Sequence, residues 1–246
     1  TKTLAAIDIG TNAIRLFISN VEEYPTETLF KKIAFLRVPI RLGEDVFTTG
    51  EIGQQKGKRL CETMQGFSYI MSAFNVESYK AYATCAMREA RNGKSVAEQI
   101  QKECDLNIEI ISGTKEAETI FAGGMNEVVD DDKTYLYVDV GGGSTEVIVY
   151  SKSVKVEACS FPLGTVRMLN DAVDKEEMKH FKKWLKNITE KYTPDAIIGS
   201  GGNINKIHKL LNKKERERIT YQELDILYEY MKSFNLEERE RIMKLN

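Results

Sequence analysis

Hydrophobic and polar positions along the chain follow a pattern that predicts alternating strands and helices. Apolar runs bounded by turn residues are typical of strands, and apolar residues at helical spacing are typical of helices. In the first half, strands are predicted at 3–9, 13–21, 28–38, 78–84 and 107–111. Helices are predicted at about 51–74, near 94–104 and at roughly 114–128.

The second half repeats this order of elements. Strands are predicted at 134–140, 146–151, 154–161 and 195–199, and helices at about 175–191, 204–211, 221–233 and 236–245. Asp174, Thr220 and Asn235 each precede a glutamate by three positions, which is a helix-start signal. The repeat predicts an α/β duplication with a cleft between halves 1–128 and 129–246. Because the second half has no counterpart of strand 107–111, we expect the natural chain to continue beyond Asn246.

Two glycine turns, Asp8-Ile-Gly-Thr-Asn12 and Asp139-Val-Gly-Gly-Gly-Ser-Thr-Glu146, carry the clearest chemical signal. Each lies between two apolar runs, which predicts a strand, a tight turn and an antiparallel strand. Glycine turns expose N–H groups, and together with hydroxyls these form a concavity that suits phosphate oxygens. The carboxylates of Asp8, Asp139 and Glu146 would repel bare phosphate, so a divalent cation is the natural complement. The alternative is a pair of ordinary hairpin turns.

Three further features remain ambiguous from the residues alone. The segment Gly199-Ser-Gly-Gly-Asn203 joins a strand to a helix, where its amides could hold an anion or simply make a tight turn. Arg88 follows a strand and could reach a phosphate in the cleft, or it could be a surface arginine. Glu116, at a helix start, is by composition alone one more solvated acid, since acids favour that position.

Composition excludes several classes of function. A formal charge of −2 over 246 residues argues against nonspecific binding of DNA or RNA. No apolar run approaches the length of a membrane span. The four cysteines form no CxxC pair, which favours reduced thiols in the cytoplasm. Two histidines make a zinc site or a Ser-His-Asp triad improbable. Apolar residues at 226–234 could support a homodimer as easily as internal packing.

Taken together, the motifs resemble those of the exopolyphosphatase/guanosine pentaphosphate phosphohydrolase (Ppx/GppA) family, within the acetate kinase–sugar kinase–Hsp70–actin superfamily. The matching pieces fall in family order over almost the whole chain: Asp8-Ile-Gly-Thr-Asn12, Ala83-Thr through Arg88-Glu-Ala, Ile111-Ser-Gly with Glu116-Ala, Asp139–Glu146, Phe161-Pro-Leu-Gly-Thr-Val-Arg167 and Gly199-Ser-Gly-Gly-Asn203. The resemblance implies two ribonuclease-H-like (actin-like ATPase) domains, with mixed sheets flanked by helices and the active site between them.

The resemblance also implies a role for each site residue. Glu116 matches the catalytic base, and Asp139 and Glu146 match a Mg²⁺ site, with Asp8 nearby and another divalent cation possible. The terminal phosphates would be held by Thr11, Asn12, Arg88, Gly142, Gly143, Ser144 and Thr145. Gly199, Gly201, Gly202 and Asn203 form a possible ligand loop. Where family members often carry two adjacent acids, this chain has Lys115 and Glu116; the lysine could add substrate affinity or lie on the surface.

The implied reaction is Mg²⁺-dependent hydrolysis of terminal phosphoanhydride bonds, with inorganic polyphosphate or the guanine alarmone guanosine pentaphosphate as substrate. Polyphosphate needs a basic track, for which the candidates are Arg15, Arg88, Arg167 and Lys206. A guanine pocket would lie near Gly199–Asn203. Two alternatives stay open: a small-molecule kinase of the same superfamily, and a nucleotide or alarmone sensor without turnover.

Overall fold

The computed structural model describes residues 1–122, 130, 132–152, 154–214 and 217–243, and the chain divides into two compact units. The first unit, Thr1–Ile198, contains most of both sheets, and the second is Gly199–Asn246. Three predicted features lie outside the described residues: the end of the helix predicted to reach residue 128, the domain boundary at 128/129, and the last residues of the helix predicted to reach 245.

The first sheet has the strand order β3-β2-β1-β4-β5. β1 pairs antiparallel with β2 and parallel with β4, so the sheet is mixed, as predicted. Its strands are β1 (Lys2–Ile9), β2 (Ile14–Glu23), β3 (Thr28–Val38), β4 (Ser78–Ala83) and β5 (Glu109–Ile110). The helices of this half are α1 (Leu42–Thr49), α2 (Gln54–Ala73), α3 (Cys85–Glu89), α4 (Gly93–Cys104) and α5 (Gly113–Ala122).

The second sheet, of order β8-β7-β6-β9, repeats the first four strands of the first. Its elements are β6 (Thr134–Val140), β7 (Thr145–Ser151), β8 (Val154–Phe161), α6 (Thr165–Leu169), α7 (Lys175–Tyr192) and β9 (Ala196–Ser200). β7 is buried on both faces: Val147 and Val149 lie in a core with Ile188 of α7, while Ile148 packs with Ile120 of α5. α5 therefore covers the second sheet.

The second unit contains α8 (Gly202–Leu210), α9 (Tyr221–Lys232) and α10 (Leu236–Met243). A capping box between Thr220 and Glu223 begins α9, and Asn235 and Glu238 exchange the same pair of bonds before α10, as predicted. Asp174 begins α7, but it accepts its bond from the Glu176 N–H. Within the described ranges, every helix is too short or too polar to cross a membrane.

Three helices were not predicted: α1, α3 and α6. α3 and α6 have five residues each, too few for an apolar periodicity to appear. α1 follows Arg41, which adopts a left-handed conformation and makes no side-chain cap, so the usual start signal is absent. These three helices border the site described next, so sequence periodicity misses the elements nearest to the chemistry.

Candidate active site

The two glycine turns are equivalent hairpins, as predicted. Gly10 N–H donates to the Ala13 carbonyl at 3.2 Å, and Gly141 N–H donates to the Ser144 carbonyl at 2.9 Å. Each turn joins two antiparallel strands across four residues. At the strand ends, Asp8 lies opposite Arg15 in the first hairpin, and Asp139 lies opposite Glu146 in the second. The hairpins thus share geometry but differ in charge.

The two turns contact each other. A Cβ added to Gly142 would lie 3.1 Å from the Cβ of Thr11, and one added to Gly143 would lie 3.0 Å from the Thr11 hydroxyl and 2.5 Å from Cys85 Sγ. Thr11 is 5% exposed and Gly143 is buried. Glycine is therefore required in the second turn because any side chain would separate it from the first. The two phosphate-binding candidates are therefore neighbours in space.

The main chain of the second turn has a fixed orientation. The Gly141 carbonyl accepts from Thr165 N–H, and the Gly142 carbonyl accepts from Val166 N–H, both in α6. The Gly143 carbonyl accepts from Arg167 Nε at 2.9 Å. In a trans peptide, the carbonyl and the following N–H point in opposite directions. The amides of Gly142, Gly143 and Ser144 therefore all point away from α6, which is the arrangement of an anion-binding nest.

Glu116 lies in the first turn of α5, where Gly113 approaches Ser160 and Glu146 so closely that an added Cβ would meet Ser160 Oγ at 2.5 Å. Burial, and then the charge of Glu146, raise the pKa of Glu116 to about 8. Arg88 Nη1 lies 3.5 Å from Glu116 Oε2 and donates to the Ile111 carbonyl at 2.8 Å. Glu116 is therefore a largely buried acid in a cluster of charges, with 17% of its side chain exposed, although composition alone predicts a solvated one.

Glu146 is only 2% exposed and accepts from Ser160 Oγ at 3.0 Å. Burial raises the pKa of Glu146, and the Asp139 carboxylate raises it further, while bonds from Ser144 and Ser160 oppose the rise. Directly opposed like charges destabilise a strand pair. A cation between Asp139 and Glu146 would remove that cost.

The donor set fits Mg²⁺ as the resemblance implies. Among the residues that the structure describes, no group of three or more His, Cys, Asp or Glu side chains could hold a metal ion. Mg²⁺ usually needs no such cage, since one or two carboxylates, water and substrate phosphates complete its octahedron. Asp139 and Glu146 would hold it. Asp8, whose charge also raises the pKa of Glu116, accepts a hydrogen bond from Arg15 Nη1 at 2.5 Å.

The other predicted phosphate ligands differ in what they offer. Asn12 is exposed at the first turn, so packing does not restrict its side chain. Ser144 is 3% exposed, and its hydroxyl bonds to Glu146, so its main-chain amide is the group that can face an anion. The Thr145 hydroxyl donates to the Leu163 carbonyl at 2.5 Å, which ties β7 to the segment before α6. The geometry therefore favours main-chain donors in the second turn.

The candidates for a basic track do not share one environment. Arg15 pairs with Asp8, and Arg167 is 9% exposed, with its guanidinium bonded to Glu89. Lys206 belongs to α8 of the second unit. Lys115, next to Glu116, pairs with Glu109 and lies over the Tyr82 ring. Arg15 and Arg167 are thus each paired with a carboxylate, and Arg88 lies 3.5 Å from Glu116.

The loop predicted from Gly199, Gly201, Gly202 and Asn203 belongs to the second unit and is described by itself. Gly201 has φ 92° and ψ 179°, a conformation that L residues rarely adopt, and it precedes the first residue of α8. A mainly apolar pocket of about 280 Å³ lies between α8 and α9, and Asn203, Lys206, Leu227 and Tyr228 are among its lining residues. The tight-turn interpretation accounts for Gly201; a ligand here stays a prediction.

Several residues of the site were not predicted in the roles that the structure gives them. Ser160 bonds Glu146 from the neighbouring strand, and Phe47, Glu89 and Arg167 surround the second turn from three short helices. Ser160 lies opposite Glu146 in the β7–β8 pairing. A register prediction for that hairpin would have identified it. The other three depend on contacts between distant parts of the chain.

Comparisons with known proteins agree with this geometry. Residues 20–246 match the model of the Ppx/GppA phosphatase family. A bifunctional 3-dehydroquinate synthase/phosphatase from Fusobacterium nucleatum is 32% identical over 168 residues, 67% of this chain and 25% of that protein. Exopolyphosphatase 1 of Mycobacterium tuberculosis is 24% identical over 225 residues, 84% of this chain and 63% of that protein. The chain thus spans less than two thirds of both relatives.

Among solved structures, a Ppx/GppA family member from Aquifex aeolicus is similar in sequence and in fold. It is 25% identical, with a TM-score of 0.77, and the match covers 99% of this chain and 83% of that one. The two-sheet arrangement predicted as a pair of actin-like domains is therefore confirmed at the level of the fold.

Proposed function

The chain belongs to the Ppx/GppA phosphatase family, and on that premise we propose that it hydrolyses the terminal phosphoanhydride bond of inorganic polyphosphate with the help of Mg²⁺. The observation that carries the proposal is the environment of Glu116. This acid is largely buried, its pKa is raised to about 8, and it lies beside Arg88 and Glu146 near the two contacting turns. A general base works best when its pKa lies near the working pH.

In the proposed mechanism, the terminal phosphate lies against the turns, where the amides of Gly142, Gly143 and Ser144 and the side chain of Arg88 donate to its oxygens. Phosphoryl transfer depends mainly on positioning and on charge stabilisation. Asn12, exposed at the first turn, would contact the phosphate from the opposite side. Removal of one well-placed donor is expected to lower turnover by about 10²–10³.

Glu116 then orients a water molecule for in-line attack on phosphorus and accepts its proton. The P–O bond to the remaining chain breaks, and orthophosphate leaves. When bound at Asp139 and Glu146, Mg²⁺ would neutralise phosphate charge, and by offsetting Glu146 it would lower the pKa of Glu116 toward its catalytically active ionised form. Arg88, 3.5 Å from Glu116, favours that ionised form as well.

Polyphosphate is the first substrate of the proposal because a relative is an exopolyphosphatase. Guanosine pentaphosphate ends in the same type of bond and is the second. The test is phosphate release by the wild type with Mg²⁺, compared among long-chain polyphosphate, guanosine pentaphosphate and ATP. Release from polyphosphate supports the proposal. Tight binding without release would favour a sensor, and ATP-dependent transfer to an acceptor would favour a kinase.

The setting of the protein is part of the proposal. The cysteines are free thiols, which supports a reducing compartment such as the cytoplasm; they are Cys61, Cys85, Cys104 and Cys159.

A homodimer through residues 226–234 is supported by the exposure of Ile226, Tyr228 and Tyr230, each more than half exposed in the second unit. Light scattering of the purified chain measures this directly.

A further inference from the structure

Arg167 links several groups around the second turn, although it is nearly buried. Its Nε donates to the Gly143 carbonyl at 2.9 Å, and its Nη2 donates to both carboxylate oxygens of Glu89 at 2.8 and 2.7 Å. Its guanidinium lies 4.1 Å from the centroid of the Phe47 ring. A buried charge is costly unless it is paired and hydrogen-bonded, and Arg167 satisfies this requirement. We call Arg167, Glu89, Gly143 and Phe47 the clasp.

One arm of the clasp sets a donor in the second turn. Because the Gly143 carbonyl is bonded to Arg167, the peptide plane between Gly143 and Ser144 has a fixed rotation, and the Ser144 N–H points away from Arg167. Without that bond, a Gly-Gly-Gly segment has many accessible conformations. Arg167 therefore determines the direction of one amide of the phosphate nest.

The other arm fixes the helix that carries Arg88. α3 has five residues, too few to be stable by itself, so tertiary contacts determine its orientation. Glu89 follows Arg88 directly in α3, and its carboxylate is held by the planar guanidinium of Arg167 through two bonds to one nitrogen. The clasp thus links Arg88, from the first half, to the Ser144 amide, from the second half.

We propose that Arg167 is a positioning residue, which aligns Arg88 and the second-turn amides on the same terminal phosphate. The inference rests on the proposed function, since it assigns Arg167 a part in that site. In this role Arg167 acts on the substrate indirectly, through Gly143 and Glu89. A misplacement of about 1 Å at a reacting centre is enough to lower turnover by about 10²-fold.

The test compares Arg167→Lys, Glu89→Gln and the double variant, with Arg91→Lys as the matched control. A lysine at this position keeps the positive charge, but it cannot bond to both the Gly143 carbonyl and the Glu89 carboxylate in the planar geometry of a guanidinium. In the control, the Arg91 guanidinium also bonds a carbonyl, of Thr49, and a carboxylate, of Glu51, but its side chain is exposed. The measurements are kcat and KM for polyphosphate per folded enzyme, together with Tm.

We expect kcat to fall by about 10- to 100-fold in Arg167→Lys and by about 10-fold in Glu89→Gln, and tripolyphosphate binding to weaken at least tenfold in Arg167→Lys, because the aligned donors hold the terminal phosphate before and during the reaction. The double variant should be no slower than Arg167→Lys, because both changes break one unit. Arg91→Lys should match the wild type. A merely structural role predicts a lower Tm with kcat unchanged in both clasp variants, and that result would overturn the inference.

If the proposed hydrolysis is wrong, a binding experiment still tests the role of Arg167. Tripolyphosphate binding is measured by calorimetry in Glu116→Gln, alone and combined with Arg167→Lys or Arg91→Lys. If the wild type releases no phosphate, but Arg167→Lys weakens binding at least tenfold more than Arg91→Lys, hydrolysis is wrong and the positioning role stands. If Arg167→Lys and Arg91→Lys have equal effects on binding and on kcat, the positioning role is wrong even in an active enzyme.

Discussion

Asp139 and Glu146 lie directly opposite each other across β6 and β7, at the positions that Asp8 and Arg15 occupy across β1 and β2. In the first hairpin the guanidinium of Arg15 neutralises the carboxylate at 2.5 Å. In the second hairpin two carboxylates face each other, and one of them, Glu146, is buried. The chain thus supplies its own cation in the first hairpin, and the proposed Mg²⁺ would supply one in the second.

Mg²⁺ is accordingly expected to stabilise the folded protein through this carboxylate pair. Millimolar Mg²⁺ should raise the Tm of the wild type, because a ligand that binds only the folded state stabilises it. Glu146→Gln should lose the increase, and without Mg²⁺ it should be at least as stable as the wild type because a like-charge pair is removed. Thermal unfolding with and without Mg²⁺ measures both effects. An equal Mg²⁺ response in the variant would contradict the assignment.

A second prediction concerns the dependence of stability on pH. The pKa of Glu116 is about 8 in the folded protein and ordinarily 4.5, so between these values the folded state holds a proton that the unfolded chain releases. The free energy of unfolding contributed by Glu116 is therefore fully present below pH 4.5 and decreases as pH rises toward 8. Glutamine does not titrate in this range, so the free energy of unfolding of Glu116→Gln does not decrease in this way as pH rises.

Without divalent cations, the Tm of Glu116→Gln minus that of the wild type should grow from pH 5 to pH 8.5. In a chain of this size about 1 kcal/mol corresponds to roughly 2–4 °C, so a gap of several degrees is expected. Glu118→Gln, on the same helix but paired with Lys155 at the surface, is the control and should show a flat difference. A flat difference for Glu116→Gln would mean that the acid is not buried in solution.

Gly164 provides a test of the close contact between α6 and the second turn. A Cβ at this position would lie 2.3 Å from the Gly142 carbonyl oxygen and 2.4 Å from Gly143 N. Backbone atoms cannot rotate away as a side chain can, so Gly164→Ala should lower the free energy of unfolding by about 1–3 kcal/mol or more. Urea unfolding measures the change.

The matched control is Gly66→Ala in the middle of α2, where an added Cβ meets no atom within 4 Å. This substitution should stabilise the protein by about 0.5–1 kcal/mol, because alanine loses less backbone entropy than glycine in a helix. If both variants change stability in the same direction, the turn and α6 do not pack as described.

Lys115 is predicted to have no part in substrate binding. Its ammonium group pairs with Glu109 and lies over the Tyr82 ring, which holds it at the edge of the first sheet. Lys115→Ala should leave kcat and KM for polyphosphate within about twofold of the wild type, since an exposed ion pair contributes little. A tenfold rise in KM would restore the interpretation in which this lysine adds substrate affinity.

Much of the architecture could be predicted from the sequence. Each glycine turn follows an acid and lies between two apolar runs. This local sequence is sufficient to predict a hairpin. Long helices such as α2 and α7 have enough residues for an amphipathic period. β5, by contrast, has two residues where five were predicted, because only that part pairs with β4.

The candidate site was less predictable. Glu116 has the same local sequence signal as any acid at a helix start, and its burial arises from Gly113 packing against Ser160 of a distant strand. Arg167 was a candidate for a basic track, yet its guanidinium is bonded to Glu89 and to the second turn. These roles depend on contacts between residues that lie far apart in the sequence. Local pattern carries no information about that.

The central claim is that Glu116 is the base in hydrolysis of a terminal phosphoanhydride. The most direct measurement is phosphate release from polyphosphate with Mg²⁺ by the wild type, Glu116→Gln and Glu118→Gln. We predict that Glu116→Gln lowers kcat by roughly 10²–10⁴ while tripolyphosphate still binds, and that Glu118→Gln, two residues further along α5, matches the wild type. An active wild type with Glu116→Gln within threefold of its turnover would contradict the claim.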